Sequence, residues 1–154
     1  MIWAGCFMLT ILLSAVSLSC RTSIRSDGTL VQYNVLNKEY KTIILQEDCS
    51  EFTIFAQNGH TLRKGWDQVE YWEFGIMLTT RDDQTMKLSS REIQTRDASV
   101  NEIINALLFI KDRQPFLAKE IIGIENIENV IRYYGLNDTE AKSLKLLFEE
   151  QELR

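Results

Sequence analysis

The 154-residue chain has one proline, one histidine, three cysteines and seven glycines, and these scarcities exclude much before any motif is sought. Pro115 alone cannot make a polyproline or collagenous segment, and so few glycines leave no Gly/Ser linker to separate two domains. With His60 as the sole histidine, a multi-histidine metal site and a histidine relay are both excluded. There is no Gly-rich phosphate loop, no paired Cys-x-x-Cys, no Gly-x-Ser-x-Gly elbow and no internal repeat, so neither a cofactor nor a metal is expected. Basic residues are outnumbered, 17 Lys and Arg against 22 Asp and Glu, and they are scattered. The net charge of -5 therefore argues against non-specific attachment to nucleic acid or to an anionic lipid surface, both of which need clustered cations.

The sharpest local absence is of charge, for none occurs from Met1 to Cys20. Phe7, Met8, Leu9, Ile11, Leu12 and Leu13 form the densest apolar part. Ser14, Ala15, Ser17 and Ser19 then supply the small side chains that a signal peptidase needs near the scissile bond. Val16-Ser17-Leu18-Ser19-Cys20 resembles the lipobox of bacterial lipoprotein precursors, with Ser19 and Cys20 in the matching places and Leu18 and Ser17 in the reverse of the usual order. The resemblance is confined to the leader. It implies that residues 1–19 are cleaved as a signal peptide, that the thiol of Cys20 carries a diacylglyceryl group with a further acyl chain such as palmitate on the new amine, and that residues 20–28 form a lipidated tether. It also implies export, with anchoring at the bacterial cell membrane or outer membrane and the domain facing the periplasm or exterior. Two or three acyl chains, buried at roughly 0.8 kcal/mol per methylene, hold far more firmly than one.

Two other readings of the leader stay open. Ser17 and Ser19 also satisfy the small-x-small rule for ordinary cleavage before Cys20. An uncharged run of this length can just cross a bilayer, and Arg21 and Arg25 follow it while no Lys or Arg precedes it, the arrangement of an uncleaved anchor in a single-span subunit of a membrane complex. The cysteines depend on the outcome. Cys6 leaves with a cleaved leader. An unlipidated Cys20 could pair with Cys49, closing a loop of about 30 residues for roughly 3.5 kcal/mol, whereas a lipidated Cys20 leaves Cys49 as a small buried hydrophobe.

Residues 29–154 read as one α+β domain: an antiparallel β-meander of about five strands, then three helices packed on one face. Thr29 to Leu36 alternates in period two, Tyr40 to Gln46 is largely β-branched, and Phe52 to Ala56 sets Phe52, Ile54 and Ala56 on one face. Glu47-Asp48-Cys49-Ser50 reads as a turn, and Asn58-Gly59 as a hairpin. Trp66 to Thr80 is the longest strand, with Trp72, Phe74, Ile76 and Leu78 on one side, Val69, Tyr71 and Met77 on the other, and Gly75 marking a close backbone approach. Thr85 to Ser90 completes the sheet. Ser99 with Glu102 opens a helix ending near Asp112. A second helix is expected over Lys119 to Tyr134, stopped by Gly135, and Asn137 with Glu140 opens a third through about Gln151.

Few residues suggest chemistry. A Cys49/His60 dyad would make the chain a small secreted hydrolase, but no flanking motif supports a nucleophile there. Glu70 and Glu73, three apart on a strand, face opposite sides and cannot act on one bond. Asp82-Asp83 and Glu47-Asp48 lack the oxygen-rich continuation of a calcium loop. The helices flanking Gly135 complete a core rather than a DNA-binding pair, given the acidity of the segment. Asn137-Asp138-Thr139 has the form of a glycosylation acceptor, but an N-cap explains the asparagine more simply. The aromatic enrichment at Trp66, Tyr71, Trp72 and Phe74 remains, most of it core. Val69, Tyr71 and Met77 are the candidate contact residues for a protein partner. The function expected from sequence is a membrane-anchored, non-catalytic binding module.

Overall fold

In the computed structural model the residues described are 21–33, 39–62, 68–91, 99–114 and 118–149, with backbone alone at 21–23, 40 and 62. The leader, Cys20, Trp66 and Pro115 lie outside them. The chain is α+β, and its strands form two sheets in two compact units divided between Leu45 and Gln46.

The first unit holds β1 (Arg21–Ile24), β2 (Thr29–Tyr33) and β3 (Glu39–Ile44), antiparallel in that order. Residues 21–24, expected within a polar tether, pair as a strand because the turn that follows is a hairpin turn. The Gly28 amide donates to the Arg25 carbonyl at 3.0 Å, and the Asp27 carboxylate accepts from the Thr29 amide at 2.9 Å. Leu30, Val31, Ile43 and Leu45 are buried.

One helical turn, α1 (Leu45–Asp48), carries the chain across the division, where a turn was expected. The second unit contains β4 (Cys49–Leu62), β5 (Gln68–Thr80) and β6 (Thr85–Ser89), paired antiparallel in succession as a meander. Asn58-Gly59 is no turn. It lies within β4, opposite Trp72 and Tyr71, because thirteen-odd residues of continuous pairing outweigh the local preference of two. A fourth strand, β7 (Glu120–Ile122), lies within the stretch expected as the start of the second helix. It pairs parallel to β4, Ile121 beside Ile54, so the sheet order is β6-β5-β4-β7. Two adjacent β-branched residues favour the strand, and Gly123 at φ 74° ends it.

The intervening crossover is α2 (Val100–Asp112). Its capping box forms as the spacing predicts, Ser99 accepting from the Glu102 amide and Glu102 from the Ser99 amide. Ile103, Ile104, Leu107 and Ile110 give it one buried stripe. A short 3-10 turn, Ile124–Asn126, leads into α3 (Ile127–Tyr134), which ends at Gly135 in the left-handed region, φ 62°. The last helix, α4 (Asp138–Phe148), starts on the Asn137–Glu140 capping box and packs against α2 through a stripe that includes Leu144, Leu147 and Phe148.

One face of the sheet is core throughout, with Phe52, Ile54 and Ala56 opposite Leu78, Ile76 and Phe74, while Phe55 is buried on the other. Each large side chain so buried contributes about 1.5–3 kcal/mol. α3 is pinned there by Tyr134. Its hydroxyl donates to the Trp72 carbonyl at 2.9 Å and shares a 2.8 Å hydrogen bond with Ser90, and its ring meets Phe74 edge-on at 5.6 Å. Thus the phenol satisfies a β5 carbonyl at the end of the ladder with β6. Among the described residues no helix is long and apolar enough to cross a membrane.

Candidate interaction surface

Alternation along β4 and β5 sends every second residue to the second face of this sheet, which is fixed by register and is itself buried at Thr53, Phe55, Glu73 and Ser89. Its cross-strand pairs are Thr53 with Met77, Phe55 with Gly75, Gln57 with Glu73, Gly59 with Tyr71, and Thr61 with Val69. β6 adds Lys87 beside Met77 and Ser89 beside Gly75. The three contact candidates therefore share one face as expected: Val69 is 37% exposed, and Tyr71 and Met77 are half-buried.

Between Tyr71 and Met77 lies Glu73, which from sequence is weighed only as a catalytic partner of Glu70. Glu73 is only 2% exposed, and its Oε1 accepts hydrogen bonds from Lys87 Nζ at 2.6 Å and Gln57 Nε2 at 2.7 Å. Burial pushes the carboxyl pKa up, but the bonds from Lys87 and Gln57 together with the Lys87 charge pull it further down, to a net value below its ordinary 4.5. Glu73 is therefore an ionised, fully engaged anchor rather than a general base. Lys87 in turn spans the face, its ammonium 5.1 Å from the Phe55 ring centroid. The available signal was Glu73 itself, an acid set between Trp72 and Phe74 in the apolar middle of the strand.

Tyr71 occupies a different environment. Its ring lies across the backbone of Gly59, where a β-carbon would come within 2.5 Å of Cζ and Oη. On it sits Arg91, whose guanidinium carbon is 4.0 Å from the ring centroid. Arg91 is exposed, and among the described residues its guanidinium forms neither a hydrogen bond nor an ion pair. Nothing in the sequence pattern marks it, because its position depends on how the chain leaves β6.

The other candidates are not assembled into a site. Cys49 begins β4 opposite Thr80, while His60 lies near the far end opposite Glu70. At about 3.3 Å per residue the strand separates them by roughly 36 Å, so no dyad forms. Cys49 is 1% exposed, and burial first, then the Asp48 charge, pushes its thiol up to about 11. Glu70 and Glu73 point to opposite faces. Among the described residues no three His, Cys, Asp or Glu side chains are grouped to hold a metal ion. Cys20, the lipid-attachment candidate, is outside the described residues.

Comparison with protein-family models, with curated proteins and with solved structures found no match to this chain.

Proposed function

We propose that the chain is a non-catalytic binding module, held by lipid on Cys20 at a bacterial membrane with its domain facing the periplasm or exterior, and that it receives a protein partner on the sheet face of Val69, Tyr71 and Met77. The observation that carries the binding half is the state of that face. The helix ending at Tyr134 packs on the Phe74 side of the sheet, while at this end of the second face Val69 is exposed beside a tyrosine held between Gly59 and Arg91. A rigid aromatic next to an exposed aliphatic side chain is the kind of surface that anchors partners, because little side-chain entropy is lost on docking. The attachment half is supported by the uncharged leader ending at Ser19-Cys20.

Both halves are testable in the native host. Intact mass spectrometry is expected to give a chain beginning at acylated Cys20, and Cys20→Ala is expected to lose lipid labelling and membrane retention. A mass retaining Met1 establishes the uncleaved anchor instead. A photo-crosslinking residue at position 69 is expected to give a discrete protein adduct that the same residue at Lys142, exposed on α4, does not.

A further inference from the structure

The chemistry of the partner is readable at Arg91. Three features make its guanidinium available. The neighbouring acid on the same face, Glu73, is already paired with Lys87 and hydrogen-bonded by Gln57. The Tyr71 ring supports the guanidinium from one side at 4.0 Å, which limits its freedom without consuming a hydrogen-bond donor. Its N–H groups have no protein acceptor among the described residues. An exposed arginine is ordinarily a mobile, solvated cation. This one is braced on an aromatic that is itself seated against the backbone at Gly59.

The setting selects the anion. A fork of N–H donors matches a carboxylate or a phosphate in bidentate geometry. A bilayer of anionic lipid or a nucleic acid rewards several clustered cations, and a chain of net charge -5 opposes both. Exposed Val69, on the same face and the same strand as Tyr71, adds an apolar contact that a phosphate group has no means to use, whereas a polypeptide carries apolar and acidic side chains within a few ångströms of each other. We propose that Arg91, seated on Tyr71 beside Val69, is the anchor for a carboxylate on an acidic segment of the partner protein. This rests on the reading of the face as a docking surface.

The test uses the full-length protein in non-ionic detergent micelles and two fluorescein-labelled peptides, one alternating valine and glutamate, the other valine and glutamine. Fluorescence anisotropy is expected to show the glutamate peptide binding about tenfold tighter or more, the equivalent of one charge-assisted pair. Arg91→Gln is expected to erase that difference and Arg91→Lys to restore only part of it, because a lysine lacks the fork and the stack. Since the Arg91 side chain is exposed, Arg91→Gln is expected to melt with the wild type, so lost binding is not lost folding. Equal binding of the two peptides, binding of neither, or unchanged discrimination in Arg91→Gln overturns the proposal. So does displacement of the peptide by equimolar inorganic phosphate, or preferential retention on phosphatidylglycerol vesicles, either of which assigns Arg91 to a phosphate ligand. The crosslink from position 69 separates the two claims. If the adduct persists in Arg91→Gln, the docking face stands and the carboxylate anchor falls; if no adduct forms in the wild type, the docking face falls first.

Discussion

Lys111 donates a 3.1 Å hydrogen bond from its ammonium to the backbone oxygen of Leu147, and so a side chain of α2 closes the C-terminus of α4. The same nitrogen donates to the carbonyls of Leu146 at 2.8 Å and Glu149 at 2.7 Å. The final carbonyls of a helix have no partner within it, and the negative end of its dipole favours a cation. Lys111 meets both needs while only 5% exposed, and burial pulls its pKa down despite the nearby acids Asp112 and Glu149.

Replacing Lys111 by methionine keeps the aliphatic stem and removes three hydrogen bonds to buried or part-buried carbonyls. Lys111→Met is expected to destabilise the protein by about 2–4 kcal/mol, read from the denaturation midpoint, with faster amide exchange in the last turn of α4. An unchanged midpoint would show that water replaces the ammonium without cost.

Glu73 gives the chain a pH dependence of definite sign. Its folded pKa lies below the ordinary 4.5, so its contribution is fully present above that value and is lost as pH falls through the folded pKa. The stability gap between wild type and Glu73→Gln is therefore expected to be widest near neutrality, at about 2–4 kcal/mol, and to close on acidification. Urea titrations of both proteins at a series of pH values measure it. A gap that widens in acid would contradict the ionised assignment.

Cys49 begins β4 with its thiol buried and its pKa raised to about 11, so thiolate is scarce at ordinary pH and reagents cannot reach it. Iodoacetamide at about pH 8 is expected to leave Cys49 unmodified in the native protein and to alkylate it in denaturant, as followed by peptide mapping. Labelling of Cys49 in the native protein, at a rate typical of an exposed thiol, would contradict the burial.

What could be read from sequence was what spacing within one element encodes. Ser99 with Glu102, Asn137 with Glu140, and the alternation that sets Val69, Tyr71 and Met77 opposite Phe74, Ile76 and Leu78 all depend on residues a few positions apart. What could not be read depends on distant partners. Asn58-Gly59 has the composition of a hairpin turn, yet Gly59 serves to let the Tyr71 ring lie flat across β4. β7 exists because Ile121 finds Ile54 across a helical crossover, and no local pattern records that pairing. The candidate site divides in the same way, Tyr71 from periodicity and Arg91 only from the path of the chain after β6.

Two glycines in the sheet separate structural from functional roles. A β-carbon on Gly75 would come within 2.1 Å of the Leu88 carbonyl oxygen, a backbone atom held in the β5–β6 ladder, so the strands would have to part. Gly75→Ala is expected to cost about 3 kcal/mol or more. At Gly59 the obstacle is the outer end of the Tyr71 side chain, which is half-exposed and can swing aside. Gly59→Ala is therefore expected to cost no more than about 1 kcal/mol while displacing Tyr71 from beneath Arg91. Thermal melts measure the first effect, and aromatic proton shifts of Tyr71 the second. A Gly59→Ala protein that is as stable as the wild type, keeps the Tyr71 shifts and keeps the position-69 adduct would show that the glycine is not what seats the ring.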